Sequence, residues 1–397
     1  MLGKPQFVGE RVRVSDAFDL RMGKTPSRKN LSYWHDGNHD WVSIADLGSF
    51  GKHVGSTKER INDLAIAETG IKPAPANTVL MSFKLSLGKT AITTAPVYTN
   101  EAIMAFVDKG VYPVDPSFMY HQCRAKDWTA DTNTAVMGKT LNKKTLGQQT
   151  IFLPGIAEQK AIAGQLDFVE CQLDSANEQL DQLDSLVKSR FVEMFEKCDV
   201  RVPLGKVCSF KSGKTLPRDK EMSSGDFLYA KVGDLNLPGN EMAIRFSRTY
   251  VDAATAKNCL IPKGAVVFPK RGGAIGTNKK RVTSEDCCLD LNLMSVIPGG
   301  KIHTEYLLAW FEQMDLADIA NGSTVPQINN KDLDPLIIPL PPLEPQQEFA
   351  AFTVQVDKSR FVDLGDEVGE FLLKDERRQR NRKLSQLAFR DVAHRLG

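Results

Sequence analysis

The chain has 397 residues, of which 42% are hydrophobic and 25% charged, a composition that excludes a disordered or collagen-like protein and allows two to four globular domains. It has no apolar run near the ~18 residues that cross a membrane, no secretion signal and no C-x-x-C pair, so we expect reduced thiols and a cytoplasmic location without membrane contact. The net charge of +2 combines a block of +5 over residues 1–154 with a block of −5 over residues 155–197, which reflects either chance or contacts with a polyanion and with protein.

The sequence repeats itself at an offset of 187 to 190 residues. Any one short motif could match by chance, but several motifs recur in the same order in both copies, which chance does not explain. The paired motifs begin at Gly23 and Gly213, at Trp41 and Tyr229, at Val79 and Val267, and at Asn142 and Asn329. A proline closes each copy, and a glutamine, Gln159 or Gln346, follows five residues later.

Each copy begins with about 140–150 residues of short apolar runs broken by Gly, Pro, Asn and Asp, which predict strands and turns. Four runs are the best strand candidates: residues 79–83, 102–107, 265–268 and 291–297. The proline-containing stretch that follows ends the sheet-rich part, because proline cannot continue a ladder of backbone hydrogen bonds.

A long helix is predicted from about residue 157 to residue 195, where no proline occurs and Gly164 is the only glycine. Its apolar residues alternate at spacings of three and four, which is the seam of a coiled coil. Such a helix needs a partner to cover its seam. The seam consists of Leu166, Val169, Leu173, Ala176, Leu180, Leu183 and Val187.

The expected partner is the repeat of this helix, from about residue 346 to residue 393. Its periodicity is less regular, because Gly365 and Gly369 interrupt it. A basic run over residues 377–383 is either a solvated helix face or a contact for phosphate or an acidic partner. The apolar face consists of Phe352, Val356, Phe361, Leu364, Val368, Phe371 and Leu372.

Motifs of catalysis are incomplete in this sequence. Gly-Lys-Thr occurs at Gly23, Gly88, Gly138 and Gly213, but each triplet lacks the glycine five positions earlier that a phosphate-binding loop requires. His35 and His39 have no third ligand cluster nearby, so a polar loop is favoured over a metal site. The glycine-rich residues 272–276 are typical of a tight hairpin. We therefore identify no catalytic residue, no metal site and no cofactor site in this chain.

These features together resemble the specificity subunit of a type I restriction-modification system, and the resemblance covers nearly the whole chain. It rests on the two-fold repeat, the Gly-Lys-Thr turn early in each copy, and the closing patterns at residues 151–159 and 336–347. Residues 186–195 also resemble the end of the family's central conserved helix. The second copy keeps the family's loop at residues 322–329, whereas residues 131–138 depart from it.

The resemblance implies an α+β fold with two pseudo-repeated, sheet-rich target recognition domains separated by two long helices that pair as an antiparallel coiled coil. The first recognition domain would be residues 1–154 and the second residues 198–343. The central helix would be residues 155–197 and the C-terminal helix residues 344–397.

The resemblance also implies a function in a prokaryotic cytoplasm. Each recognition domain would read one half of a split, asymmetric site in double-stranded DNA, while the helices set the spacing and bind modification subunits, two of them expected. Those partners would carry S-adenosylmethionine and methylate adenine. A separate motor-nuclease restriction subunit would use ATP and Mg and cleave the DNA.

DNA contacts are expected from cationic and polar side chains on loops, because these side chains bind phosphates and base edges. The cluster from residue 270 to 281 is the strongest candidate, since it flanks a glycine-rich turn. The first-domain candidates are Lys24, Thr25, Ser27, Arg28, Lys29, Asn30, Lys84, Ser86 and Lys89. The second-domain candidates are Lys214, Arg218, Lys220, Lys270, Arg271, Asn278, Lys279, Lys280 and Arg281.

Other functions remain open from the residues alone. A specificity subunit of a type IIB or related system would share the recognition domain and differ in its cleavage partner. A coiled-coil scaffold would bind protein through its repeats and show no sequence-dependent DNA binding. An enzyme with an unrecognised site is the third alternative.

Overall fold

The computed structural model describes residues 9–84, 86–128, 141–322 and 325–362. For residues 360–362 it describes the backbone alone. The described residues divide into two compact units, with the boundary between Leu173 and Asp174 inside a 40-residue helix. Each unit holds one of the two sequence repeats.

The first unit contains short strands and helices that follow the predicted alternation of apolar runs and turns. The strands are β1 (Gly9–Arg13), β2 (Phe18–Met22), β3 (His39–Val42), β4 (Glu59–Ile61), β5 (Val79–Ser82), β6 (Thr90–Ile92), β7 (Tyr98–Thr99), β8 (Ile103–Asp108) and β9 (Thr150–Pro154). The helices are α1 (Val14–Ala17), α2 (Ile44–Ser49), α3 (Asp63–Thr69), α4 (Pro116–Ala125), α5 (Lys143–Gln148) and the first part of α6 (Ile156–Phe195).

The second unit begins with the rest of α6 and repeats this arrangement. Its strands are β10 (Arg201–Pro203), β11 (Cys208–Ser212), β12 (Phe227–Ala230), β13 (Ala243–Ile244), β14 (Tyr250–Val251), β15 (Leu260–Ile261), β16 (Val266–Pro269), β17 (Arg281–Thr283), β18 (Cys287–Leu289), β19 (Leu293–Pro298) and β20 (Ile337–Pro339). Its helices are α7 (Ala253–Ala256), α8 (Thr304–Glu312), α9 (Leu316–Ile319), α10 (Asn330–Leu333) and α11 (Leu343–Val362). Short 3-10 helices span Leu31–Tyr33, Leu204–Lys206, Arg218–Lys220, Val232–Asn236 and Gly272–Thr277.

The sheets of the two units share one strand order, and the second unit adds β13 and β15 at sheet edges. The strand order β2-β8-β5-β6 in the first unit matches β11-β19-β16-β17-β13 in the second. The order β4-β3-β7 matches β14-β12-β18-β15, and the parallel pair β3 with β7 matches the parallel pair β12 with β18. Strand β1 pairs with β9, and β10 pairs with β20, so the two ends of each domain are joined.

The central strands β5 and β16 are buried on both faces, which explains why they are continuous apolar runs. Alternate side chains of a strand point to opposite sides. Val79 and Met81 therefore join the core beneath α4, while Leu80 joins the core formed with Val42 and Leu47. The second unit repeats this division of its central strand between two cores.

The four predicted strands and the predicted central helix are confirmed. Helix α6 begins at Ile156, one residue before the predicted start, and ends at Phe195 as predicted. Helix α11 begins at Leu343, three residues before the predicted start. Residues 364–372 of its predicted apolar face, and the basic run 377–383, lie outside the described residues, as does the side chain of Phe361.

The predicted seam of α6 is partly correct. Leu166, Leu173, Ala176 and Leu180 are buried, and Leu183 and Val187 are half-buried. Val169 is 41% exposed, contrary to the prediction. Asp167 faces the first domain, and successive helix residues turn by about 100°, so Val169 lies roughly 200° away from that contact.

Within the second unit, α6 contacts α11 and α8 through aromatic rings. Phe195 lies 4.8 Å from Tyr306 and 5.6 Å from Phe349, measured between ring centroids. Phe191 stacks on Tyr306 at 5.3 Å. Val356 is buried and Phe352 is half-buried against this core, as their place in the predicted apolar face requires. Contacts between aromatic rings stabilise the fold by more than the burial of their apolar area alone.

Candidate nucleic-acid interface

The Gly-Lys-Thr turn has the same backbone geometry in both domains. The Lys24 N–H donates to the Thr99 carbonyl at 2.8 Å, and the Lys214 N–H donates to the Leu289 carbonyl at 2.9 Å. Gly23 is required there, because a Cβ atom would collide with the Thr99 backbone oxygen. Close backbone approach, and not phosphate binding, therefore explains this glycine.

The two lysines of these turns also share a structural contact. Lys24 Nζ donates to the carbonyl of Thr69, the last residue of α3, at 2.5 Å. Lys214 Nζ donates to the carbonyl of Asn258 at 2.8 Å. Both lysines are otherwise exposed. Each ammonium group thus holds a surface segment in place, at Thr69 or at Asn258, and still presents positive charge to solvent.

Arg28 is stacked against aromatic rings and paired with a carboxylate. Its guanidinium carbon lies 4.0 Å from the Trp34 ring centroid and 5.0 Å from that of Trp41. Its Nη2 donates to Glu59 Oε2 at 2.8 Å, and this interaction raises the pKa of Arg28. A phosphate must compete with Glu59 for this side chain, whereas Lys29 beside it is exposed.

The remaining first-domain candidates are largely engaged locally. Thr25 donates to the Glu101 carboxylate, and Asn30 caps a 3-10 helix by accepting from the Ser32 N–H at 3.3 Å. Lys89 Nζ donates to the Ile44 carbonyl at 3.2 Å. Ser27 and Ser86 are exposed, and Lys84 is half-buried with its Nζ 5.3 Å from the Phe83 ring centroid.

The cluster at residues 270–281 differs from the sequence prediction, because Lys270 and Lys280 point inward. The side chain of Lys280 is 0% exposed, and its Nζ donates to Asn278 Oδ1 and to the Met314 carbonyl, both at 2.9 Å. Asn278 Oδ1 also accepts from the Leu316 N–H at 2.9 Å. Lys270 is buried and donates to Ser212 Oγ at 2.8 Å. These residues hold the turn and the start of α9, and none of the three presents a free edge to a ligand.

Burial lowers the pKa of Lys270 and of Lys280. For Lys270, desolvation acts together with the neighbouring charge of Arg271. For Lys280, desolvation outweighs the opposing effects of Glu312 and Asp315. Burial makes the charged form of each lysine less favourable inside the domain. This agrees with a structural role for both side chains.

Arg271 remains the strongest base-reading candidate of the cluster. It is half-buried at the start of the 3-10 turn Gly272–Thr277, and its Nε is buried without a hydrogen-bond partner among the described residues. The Nε of Arg281 is likewise buried without a partner among the described residues, but its Nη1 donates to the Lys280 carbonyl at 2.8 Å. Lys279 contacts Asn236 Oδ1, and Arg218 and Lys220 are exposed on their own 3-10 turn.

Sequence reasoning missed a basic groove in the first unit. It has a volume of about 560 Å³ and is lined by Lys109, Lys143, Lys144 and Asp19, among others. Hydrogen bonding from Arg21 lowers the pKa of Asp19, and Lys143 and Lys109 lower it further. The adjacent lysines in the closing motif at residues 142–146 were the available signal for this surface.

A second missed feature is a cluster of His121, Asp167 and Glu170, whose ligand atoms lie within 4.8 Å of one another. Lys52 and Arg124 already pair with its two carboxylates. A metal ion would have to displace both cations, so we interpret the cluster as an ion-pair network. His35 and His39 pair separately, with Asp36 and Asp63.

Two further features concern membrane-spanning helices and the cysteines. None of the helices within the described residues is long and apolar enough to cross a membrane. All seven cysteines lie in described regions and are unbridged, and five of them are buried.

Comparison with known proteins identifies the repeated domain. The family model described as the type I restriction modification DNA specificity domain matches residues 10–185 and again residues 200–362. The chain is 22% identical over 367 residues to the type I restriction enzyme MjaIX specificity subunit of Methanocaldococcus jannaschii, covering 85% of this chain and 84% of that protein. It is also 22% identical over 367 residues to the Escherichia coli EcoprrI specificity subunit, covering 88% and 87%.

Two solved structures share the fold across the whole chain. One is the S subunit of the type I restriction-modification system from M. genitalium, with a TM-score of 0.55, 14% identity and coverage of 98% and 97%. The other comes from work on complex assembly and conformational transition of the type I R-M system, with a TM-score of 0.54, 18% identity and coverage of 100% of each chain. Since the family model accounts for both halves, the chain belongs to the family of the type I restriction modification DNA specificity domain.

Proposed function

We propose that this chain is the DNA-reading specificity subunit of a type I restriction-modification enzyme. The observation that carries the proposal is the repetition of one recognition domain, matched twice by the same family model and built from corresponding sheets. Two copies with different surface side chains suit a site of two unlike halves. Domains held on helices suit a fixed separation between half-sites, as in dimeric DNA readers.

The chain's own contribution is recognition. Exposed Lys29, Arg218 and Lys220 and the half-buried Arg271 supply phosphate or base contacts, and Lys143 and Lys144 add positive charge at the groove. Such contacts make binding depend on salt, because cations bound to the phosphates are released. Catalysis is assigned to partners: two modification subunits carrying S-adenosylmethionine, and restriction subunits using ATP and Mg.

The helices over residues 155–197 and 344–397 are the proposed surface for the modification subunits. The acidic charge of residues 155–197 and the exposed Phe168 on α6 support this assignment. The names of the matched relatives, both type I specificity subunits, support the same system in place of a type IIB arrangement.

The direct test is to express the chain with its modification subunits and map adenine methylation in the host DNA. We expect one motif made of two half-sites separated by a spacer of fixed length. Binding to a duplex of this motif should weaken steeply as salt rises, with a residual preference over a scrambled duplex. Methylation or binding without sequence preference would overturn the proposal and favour a protein-binding scaffold.

A charge-removal experiment locates the recognition surface. Arg218→Ala combined with Lys220→Ala should weaken binding and reduce the salt dependence. Lys58→Ala combined with Lys72→Ala removes two exposed lysines outside the candidate contacts and is the matched control for loss of surface charge. An equal loss in the control would mean that net charge alone, and not the second domain's surface, governs binding.

A further inference from the structure

Four charged side chains and one histidine meet where α6 packs on the first recognition domain. Asp167 and Glu170 lie three residues apart on α6, and His121 and Arg124 lie three residues apart on α4, so each pair shares one helix face. Lys52 comes from the loop after α2. We refer to these five residues as the ion-pair network.

Asp167 is the centre of the ion-pair network. Lys52 Nζ lies 2.6 Å from Asp167 Oδ1 and 2.5 Å from Oδ2, and His121 Nε2 lies 2.7 Å from Oδ1. Burial acts to raise the pKa of Asp167, but the hydrogen bonds from Lys52 and His121 outweigh it and lower that pKa. The carboxylate is therefore held charged in a fixed position.

Glu170 forms the second half of the network. Arg124 Nη1 contacts Glu170 Oε1 and donates to the Tyr120 hydroxyl at 2.6 Å. His121 Nδ1 lies 3.9 Å from Glu170. The side chains of His121, Arg124 and Lys52 are 2%, 16% and 18% exposed. The side chains of Asp167 and Glu170 are 37% and 22% exposed, so the pairs are partly buried. Such pairs are screened by salt less than fully exposed pairs, and removal of one partner leaves the other uncompensated.

The second recognition domain uses aromatic rings where its helix α8 packs on α6 and α11. Helix α8 follows the long strand β19 as α4 follows β8, and it meets α6 and α11 through Tyr306, Phe191, Phe195 and Phe349. Apolar rings contribute affinity with broad orientational tolerance, whereas a lysine bound to both oxygens of a carboxylate fixes one geometry.

We propose that the ion-pair network is a positioning device that sets the orientation of the first recognition domain on α6, and so makes recognition of the first half-site depend on Lys52 and Asp167. These residues do not contact DNA in this assignment; they act by holding the domain that does. The inference rests on the proposed function.

The test uses the full chain in complex with its modification subunits. Lys52→Met and Asp167→Asn remove the central pair singly and together, Lys52→Arg keeps the charge with altered geometry, and Glu10→Gln on β1 is the exposed acidic control. Binding is measured on the complete site, on sites with either half scrambled, and on sites with the spacer changed by one base pair.

We expect Lys52→Met to reduce discrimination against a scrambled first half at least tenfold, with little change for the second half. It should also tolerate the altered spacers that the unmodified complex rejects. The double variant should lose no more discrimination than the worse single variant, since all three remove the same interaction. The discrimination of Lys52→Arg should lie between that of the unmodified chain and that of Lys52→Met. If Lys52→Met and Asp167→Asn fold less well, the same spacer comparison on Lys52→Arg decides the question.

Unchanged spacer selectivity in folded variants, or an equal loss for both halves, would overturn the positioning role while leaving the proposed function intact. A complex that ignores both half-sites before any substitution would instead overturn the proposed function, and this inference with it.

Discussion

Gln159 and Gln346 make the same three hydrogen bonds, 187 residues apart. Gln159 accepts from the Asp115 N–H at 2.9 Å and donates to the carbonyls of Pro113 at 2.9 Å and Pro154 at 2.8 Å. Gln346 accepts from the His303 N–H at 2.8 Å and donates to the carbonyls of Lys301 at 3.0 Å and Pro341 at 2.9 Å. Both side chains are fully buried, so each ties the start of a long helix to the domain before it.

Replacing either glutamine by leucine should destabilise its own unit. Each substitution leaves one buried N–H and two buried carbonyls without this partner, at a cost of about 1–3 kcal/mol for each group that stays unsatisfied. Thermal unfolding followed by calorimetry should show a Tm lower by several degrees. Gln165→Leu, at an exposed position of α6, is the control and should leave the Tm nearly unchanged.

Gly23→Ala and Gly213→Ala should each destabilise the protein by about 1–3 kcal/mol, because the new methyl group meets backbone oxygen atoms that cannot move aside easily. The midpoint of denaturant unfolding measures this effect. Gly51→Ala and Gly276→Ala place a methyl group where no atom lies within 4 Å and serve as controls. Equal midpoints for all four variants would contradict the close-approach explanation of the motif.

Arg271 and Lys280 should separate into a binding residue and a structural residue. Arg271→Ala should weaken binding to the complete site by about 1–3 kcal/mol, if its guanidinium reads a base edge, with little change in Tm. Lys280→Met should lower the Tm, because the Met314 carbonyl and Asn278 lose a buried donor. Titrations at one stated salt concentration and thermal unfolding of both variants measure the two effects, and the opposite pattern would reverse the assignment.

The first unit should lose stability as the pH falls below about 6.5. Burial lowers the pKa of His121, although Glu170 and Asp167 act against it. A histidine whose folded pKa lies below the unfolded value of ~6.5 contributes stability above that pH and loses it as protons bind preferentially to the unfolded chain. Thermal unfolding between pH 8 and pH 4 should therefore show a falling Tm, and Asp167 adds a further loss near pH 4 and below.

His121→Gln provides the comparison for this pH dependence. Glutamine keeps a donor for Asp167 and does not titrate, so the fall in Tm between pH 7 and pH 5 should become smaller. His35→Gln, at an exposed position in the same unit, should leave the slope as it is. A slope that does not respond to His121→Gln would assign the pH effect to other groups.

The elements that the sequence predicted well are those with local causes. The absence of proline after Pro154 and the spacing of apolar residues place α6 within one residue of its observed start. The strands at residues 79–82 and 293–298 are mostly apolar runs bounded by turn residues. The repeat was visible because corresponding motifs keep their order.

The side-chain contacts that the sequence did not indicate depend on distant partners. Lys280 is surrounded by cations in sequence, yet its ammonium group is buried against the Met314 carbonyl, 34 residues away. His121 and Asp167 are 46 residues apart, and no local pattern joins them. The acidic pair Asp167 and Glu170 on the domain-facing side of α6 was the signal that could have suggested a buried ion pair.

The pairing of β1 with β9, and of β10 with β20, has a consequence for how specificity changes. Gly9 lies opposite Pro154, and Arg201 lies opposite Pro339. Each recognition domain therefore begins and ends in a two-stranded antiparallel pair, which we call its stem. The length and surface of the segment between the two sides of a stem can vary while the stem keeps its register and the segment keeps its contacts to the long helix, such as Lys52 with Asp167. A single exchange of residues 14–149 would then give the chain a new half-target in one step.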